Sequence, residues 1–269
     1  MYSGSTLRHG SGEITGVHQR INRIARRRLT GVPAGITFPD IKKIARFEGL
    51  GGPDGVKRKS PSVDEPWHFI DPHDPTDRAL IQMIDDHVAN LTAALKKGDE
   101  HRAAFEAAWL SHTIVDGLTP AHHFPLAKKI EELWGKPAHE RSSVKEKNFI
   151  KGHNHRDTIS KNWQYWGSGG IFMAHVLFEW GVASAMALAR YKDLELSQAL
   201  KKKVAKKGVK AIFLEALHDI DSLHMYETFA ETGWTRKLAR ETRQQLIPRI
   251  IETVAASWYY AALQAGKKE

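Results

Sequence analysis

The chain has 269 residues without an internal repeat, which suits a single domain, and its apolar content of 41% can form a hydrophobic core, which argues against disorder. It contains no cysteine, so disulfides and thiolate metal sites are excluded. The formal net charge of +9 favours anionic partners, such as phosphodiesters or acidic lipid.

Apolar residues recur at helical spacing through most of the chain, and no alternating β-branched run is long enough to predict a sheet. The predicted helices span residues 15–29, 75–97, 100–116, 126–134, 170–191, 196–207, 209–231 and 235–266. Two long intervening segments, 31–75 and 135–169, are predicted as loops. The expected fold is therefore all-α, a single-domain multi-helix bundle over 1–269 with a flexible leader at 1–14 and a loop insertion at 135–169.

The first residues contain no apolar segment of the kind that a signal peptide carries. The longest apolar stretch, 169–190, includes His175 and Glu179, and two ionisable groups in mid-span argue against a membrane helix. The sequence thus predicts a soluble, cytoplasmic protein, with export by another route left open.

The strongest chemical signal is the segment from His112 to His122. His112 and Asp116 are four residues apart, so on a helix they lie on one face. Pro120 is expected to end that helix and to let His122 turn back toward the same point. Two imidazoles and a carboxylate in this arrangement are typical ligands of a divalent metal, although a lone His/Asp pair is more often a capped or salt-bridged surface pair.

A second pair, His175 and Glu179, repeats the four-residue spacing within an apolar helix, where an unpaired carboxylate would be costly. A buried His–Glu hydrogen bond is the alternative interpretation, and the recurrence of the pair favours a metal site. Upstream, Asp54 and His68 flank a turn-rich segment. His18 lies on the first amphipathic helix, where by itself it would be an ordinary core histidine.

Taken in order, these residues resemble the zinc-dependent phospholipase C family and its relatives, the single-strand-specific nucleases and 3′-nucleotidases. His112, Asp116 and His122 match the family's His-x3-Asp-x5-His core, and His175 with Glu179 matches its later His-x3-acid pair. The remaining matches are, in chain order, His18, Asp54, His68, Phe69 and Asp71.

The resemblance implies a mostly helical fold that binds two or three zinc ions. The implied ligands are Asp54, His68, His112 and a bridging Asp116 for one ion; His122, His175 and Glu179 for a second; and His18 with the other oxygen of Asp116 for a third. In the family, the third ion also takes the amine and carbonyl of an N-terminal Trp. This chain starts with Met1, so Met1 or His9 can replace that Trp only if the leader folds back into the cleft.

The insertion at 135–169 offers alternatives to His175 as a ligand, namely His139, His153 and His155. Ligating histidines also need acceptors for their other ring nitrogen, and Asp64, Glu65 and Asp71 are the candidates. The His- and Asp-rich segment 218–224 is interpreted as an amphipathic surface or as supporting groups.

Clustered zinc suits phosphoester hydrolysis because a bound water falls from a pKa of about 15.7 to about 7, which provides hydroxide at neutral pH. The expected mechanism uses hydroxide bridging the metals near Asp116, with Asp54 as a second proton acceptor. Phe69 and Asp71 are expected to bind the substrate.

Three functions follow from these residues. The favoured one is a phospholipase C-like phosphodiesterase that acts on a phospholipid head group. The second is a single-strand nuclease or 3′-nucleotidase, in which Phe69 stacks on a base and Asp71 reads its edge. The third is a metal-stabilised binding protein without catalysis. Peripheral contact with an anionic membrane or single-stranded nucleic acid is expected, and no protein partner is implied.

Overall fold

The computed structural model describes residues 1, 16–55, 69–123, 126–136, 140, 143, 146, 149–167, 169–187, 189–191 and 195–267. Every element of regular structure within these residues is helical, so the all-α prediction is confirmed. The helices are α1 (Val17–Arg28), α2 (Ile41–Ala45), α3 (Ala79–Lys97), α4 (Glu100–Gly117), α5 (Pro120–His123), α6 (Leu126–Trp134), α7 (His155–Trp166), α8 (Ile171–Ala187), α9 (Gln198–Asp221), α10 (Met225–Thr232), α11 (Arg236–Glu241) and α12 (Ile247–Ala265).

The core forms around the C-terminal helix α12, which contacts α1, α3, α4 and α9. Its side chains Ile250, Val254 and Trp258 are fully buried. A buried indole N–H needs an acceptor, and Trp258 donates its own to the Ala107 carbonyl of α4 at 3.0 Å. The central helix therefore fixes the position of α4.

Helix α4 starts where Asp99 accepts a hydrogen bond from the Arg102 backbone N–H, a side-chain cap that satisfies one free donor of the first turn. Its last eight residues, 110–117, are all buried. Polar side chains in such a segment cannot form hydrogen bonds with water. The hydrogen-bonding groups of His112 and Asp116 must therefore be satisfied by neighbouring groups or by a ligand.

The end of α4 allows an unusually close approach of two other helices. A Cβ on Gly117 would lie 2.7 Å from Leu80 Cδ2 and 2.9 Å from Phe213 Cζ, both on fully buried side chains. Pro120 was expected to end α4, and this is wrong: α4 ends at Gly117 and Pro120 is the first residue of α5. Proline suits a first helical turn because its missing N–H has no partner there anyway.

The segment 135–169 is not a loop, since α7 lies within it. Asn154 caps α7 by accepting from the Asp157 backbone N–H, and Tyr165 packs with Trp134 and Ile150 in a small separate core. Propensity alone misses this helix because its first turn is polar and most of its outer face is exposed.

Other boundaries also differ from the prediction. The segment 31–75 contains the short helix α2. Within α9 the backbone of Gly208 is non-helical, with a φ of 79°, so two helical pieces meet at a kink where the sequence predicts the boundary between 196–207 and 209–231. A further break follows Asp221, so the predicted helix 209–231 is two helices. The predicted helix 235–266 is α11 and α12 joined by a π-helical turn, Thr242–Leu246.

Helix α8 is apolar on all sides, yet only one side is packed against the bundle. Phe178, Val182 and Met186 are buried, whereas Leu177 and Trp180 are exposed. One stretch of the described chain, His155–Ala187, is long and apolar enough by length and composition to cross a membrane, a test that core helices of soluble proteins also pass. Because α8 contributes to the core and to the site below, we describe it as a bundle helix.

Candidate metal centre

The candidate site lies where α1 and α5 meet α4 and where α8 meets α5. Each helix contributes one or two side chains that can ligate a metal, and each is buried or half-buried. They are His18 from α1, His112 and Asp116 from α4, His122 from α5, and His175 and Glu179 from α8.

The Asp116 carboxylate lies between two imidazoles. Its Oδ1 is 3.2 Å from His18 Nε2, and its Oδ2 is 3.1 Å from His112 Nε2. The two rings stack with their centroids 4.2 Å apart. One carboxylate thus presents a separate oxygen to each histidine, the arrangement that a ligand bridging two metals requires.

Met1 lies inside the site. Its amine is 2.6 Å from Asp116 Oδ1 and 3.1 Å from Glu179 Oε1, and its carbonyl oxygen is 2.9 Å from His18 Nε2. The backbone N and O of residue 1 therefore face the position that the resemblance assigns to the third metal. The sequence predicts that Met1 belongs to a flexible leader at 1–14, but Met1 is buried. Residues 2–15, which include His9, lie outside the described residues.

The second predicted pair converges with His122. Glu179 Oε1 is 3.1 Å from both His122 Nε2 and His175 Nε2, and the two rings stack at 4.9 Å. A simple His–Glu hydrogen bond would need only one imidazole. The three donor atoms lie within 4.8 Å of one another, close enough to share one ion.

Of the remaining predicted residues, some lie at the site and one lies outside the described residues. Asp54 joins His112 and Asp116 in a third group, with its Oδ1 3.7 Å from His112 Nε2. His68 lies outside the described residues. Phe69 places its ring 5.2 Å from that of His122.

Asp71 does not face these ligands in the described part of the chain. Its carboxylate accepts from the His73 backbone N–H at 2.9 Å, and it lines a separate cavity. Its roles in substrate binding and in supporting a ligand stay predictions. Of the alternative histidines, His153 and His155 are exposed on α7 or just before it, and His139 lies outside the described residues, as do Asp64 and Glu65.

Sequence reasoning missed Glu48. This buried carboxylate places Oε2 3.4 Å from His112 Nδ1, and its Oε1 accepts from Asn22 Nδ2 at 2.8 Å. Ser111 in turn donates to Asn22 Oδ1. A carboxylate on the second nitrogen of a ligating histidine fixes the ring and increases its basicity, which is the common support for metal-bound imidazole.

The buried charges shift one another's pKa values. Burial alone would lower the pKa of the Met1 amine, but the carboxylates of Asp116 and Glu179 outweigh burial and raise it to about 11. Burial also opposes the charged forms of both acids, yet the Met1 ammonium and nearby histidines hold the pKa values of Asp116 and Glu179 well below their usual range. Both acids are therefore carboxylates at neutral pH.

The histidines divide into two classes. Burial lowers the pKa of His122 to about 3, because Asp116 does not compensate and the Met1 ammonium adds to the effect. Burial would also lower the pKa of His112, but Asp116 and Asp54 outweigh it and raise that pKa well above its usual value. A metal at His122 would meet a neutral ring, whereas a metal at His112 would have to displace a proton.

The donor set fits zinc. Ligand atoms on a tetrahedral zinc with bonds of about 2.0–2.2 Å lie about 3.3–3.5 Å apart, close to the 3.1–3.2 Å between these nitrogens and oxygens. Four histidines present Nε2 toward two carboxylates, and nitrogen with oxygen ligands is the combination that zinc accepts without thiolates.

Comparison with protein-family models, with curated proteins and with solved structures gave no match for this chain.

Replacing Glu48 by Gln should weaken zinc binding about 10–100-fold, because His112 loses its charged acceptor while the shape is kept. A chelator competition on the full chain measures the affinity. The matched control is Glu106→Gln, which removes another buried carboxylate paired with a histidine, His87 at 2.6 Å, but outside the site. Equal losses in both variants would contradict the role of Glu48.

Zinc affinity should increase with pH between 6 and 8. His112 and the Met1 amine have raised pKa values, so in the metal-free protein both hold protons that ligation must release. Each released proton contributes about tenfold per pH unit. Chelator competition corrected for the chelator's own protonation measures the slope, and a constant affinity across this range would refute the assignment.

Proposed function

We propose that this chain is a zinc-dependent phosphodiesterase of the phospholipase C type. The observation that carries the proposal is the Asp116 carboxylate, which offers one oxygen to His18 and the other to His112 in a buried pocket. With the His122, His175 and Glu179 group beside it, this geometry supports a cluster of metals rather than a single ion. The ordered resemblance to the family, which spans nearly the whole chain, supports the same assignment.

Zinc, when bound, lowers the pKa of water to about 7 and neutralises charge on phosphate oxygens. The chain's own residues hold the geometry and move protons. Asp54 is the least buried of the three acids, with 27% of its side chain exposed against 3% for Asp116 and 15% for Glu179. Asp54 is thus the acid best placed to exchange a proton with solvent, in keeping with its expected role as a second base.

An exposed apolar groove on α7, linked to α8 by the contact of Trp166 with Phe172, favours a phospholipid substrate. Ile159, Trp163 and Trp166 of α7 line the groove with Phe149, and Trp163 is 69% exposed. Trp166 packs on Phe172 at 4.7 Å, one turn before His175 on α8. Exposed tryptophans suit the boundary between lipid tails and water.

The charge of this region is compatible with a lipid surface. Residues 149–167 carry three cations, Lys151, Arg156 and Lys161, against one carboxylate, Asp157. Attraction to anionic head groups adds to the apolar contribution of the groove.

The second candidate function is a single-strand nuclease or 3′-nucleotidase. Its supporting observation is Phe69, whose ring lies 5.2 Å from that of His122 and 6.4 Å from that of His175, where a base could stack beside the metals. The net charge of +9 also suits nucleic acid.

Asp116→Asn tests the function. The variant should lose zinc and at least about 100-fold of the hydrolysis rate, since the bridging carboxylate supports two ligand groups. Rates on short-chain phosphatidylcholine and on single-stranded DNA are measured with zinc content per folded chain, checked by circular dichroism. Asp85→Asn, on the exposed side of α3, is the control and should match the unaltered chain.

The outcomes separate the hypotheses. Hydrolysis of the lipid alone supports the phospholipase reading, and hydrolysis of DNA alone supports the nuclease. Zinc that stabilises the chain without hydrolysis of either would support the binding protein and contradict the proposal.

Extending the chain by Gly-Ser ahead of Met1 should lower the zinc content by one ion per chain. The extension converts the Met1 amine into an amide, which cannot exchange its proton for a metal at neutral pH. The added residues also have no room in the interior, so residue 1 must leave its buried position beside Asp116. Elemental analysis of both forms, purified without added chelator, measures the change. An unchanged zinc content would show that Met1 is not a ligand.

A further inference from the structure

A second group of histidines and acids lies apart from the cluster described above. A cavity of about 280 Å³ is lined by Asp71, His73, His123 and Asp221, with Tyr226 and Glu227 at α10. Asp221 belongs to the segment 218–224, which the sequence marks as rich in histidine and aspartate and which the proposed phosphodiesterase does not use.

His123 points one ring nitrogen into this cavity without a hydrogen-bond partner. The residue is 7% exposed, and its Nε2 is 2.8 Å from the Gly117 carbonyl oxygen. A carbonyl only accepts, so Nε2 donates its hydrogen to Gly117, and Nδ1 is the ring nitrogen that remains to face the cavity. Nδ1 is buried and has no hydrogen-bond partner. A histidine that donates one N–H to a backbone carbonyl and presents its other nitrogen is the usual form of a metal ligand.

Asp221 faces His123 across a gap that a hydrogen bond does not close. Its Oδ1 is 3.8 Å from His123 Nδ1, and its Oδ2 is 3.2 Å from His73 Nε2. A ring nitrogen and a carboxylate oxygen, both of them ligand types for zinc, therefore face each other. The ligand atoms of a tetrahedral zinc are about 3.3–3.5 Å apart, which lies between these two distances.

The position of Asp221 adds to the preference for a cation. It is the last residue of α9, where unsatisfied carbonyl groups give the helix end a partial negative charge. His73 is mostly exposed, so its side chain can close over an ion without disturbing the core.

We propose that His73, His123 and Asp221 form a separate binding site for a divalent cation of the zinc type. The site ties three parts of the fold together: the segment after Phe69, the short helix α5, and the end of α9. Asp71 and Glu227 line the same cavity and leave room for a water molecule or an anion as the remaining ligand.

Asp221→Asn tests the proposal with zinc alone as the probe. The full-length variant should bind one zinc ion fewer than the unaltered chain, measured by elemental analysis after equilibrium dialysis. The matched control is Asp219→Asn, which changes the same residue type two positions earlier on α9, where the carboxylate pairs with Arg249 outside the cavity. The control should keep the full zinc content.

His73→Ala provides a second variant that does not risk the fold, because this side chain is exposed. It should weaken binding of the same single ion at least about tenfold, as loss of a ligand does. If Asp221→Asn keeps the full zinc content, or if Asp219→Asn loses as much, the site is refuted. Asp116→Asn separates the two sites, because it should remove the ions that Asp116 would bridge and leave this ion bound.

Discussion

The buried carboxylate of Asp116 is the constraint on which the rest of the site depends. An ionised carboxylate in an apolar interior is costly unless charges and hydrogen bonds compensate it. The Met1 ammonium, His18 and His112 supply that compensation from two other segments and from the preceding turn of α4. The requirement holds α1 against α4, and Gly117 lets α3 and α9 approach the same point. The charge of the buried Asp116 carboxylate thus accounts for the contacts that residue 1 and α1 make with α4 here.

The interactions that satisfy Asp116 and Glu179 without a metal are also those that would position ligands for one. An ammonium and a protonated imidazole occupy the sides of the carboxylates that metal ions would take. The ligand positions are therefore formed without a metal, and part of the free energy of binding one would go to displacing protons rather than to moving helices. The contrast between His112 and His122 indicates that the two halves of the cluster differ in this cost, since only His112 starts with a raised pKa.

Sequence reasoning succeeded where spacing within one helix decides the geometry. The pairs His112/Asp116 and His175/Glu179 each lie on one helical face, and the structure brings both to one site. It failed where tertiary packing decides. Glu48 follows α2 in an irregular segment without periodicity, so nothing local marks it as the acceptor for His112. The burial of Met1 against Asp116 and the formation of helix α7 likewise depend on contacts with distant residues. Only the family resemblance indicated that Met1 could serve as a ligand.

The short helix α5 connects the two candidate cation sites. His122 and His123 are neighbours in sequence, yet His122 Nε2 contacts Glu179 while His123 Nε2 contacts Gly117. The Ile70 backbone N–H also donates to the His122 carbonyl at 3.2 Å, which couples α5 to the segment that carries Phe69 and His73. An ion held by His73, His123 and Asp221 would fix α5 from the side opposite the cluster and restrain Phe69 beside His122. The second site would then be structural, and its effect on hydrolysis would come from the position of the Phe69 segment rather than from chemistry of its own.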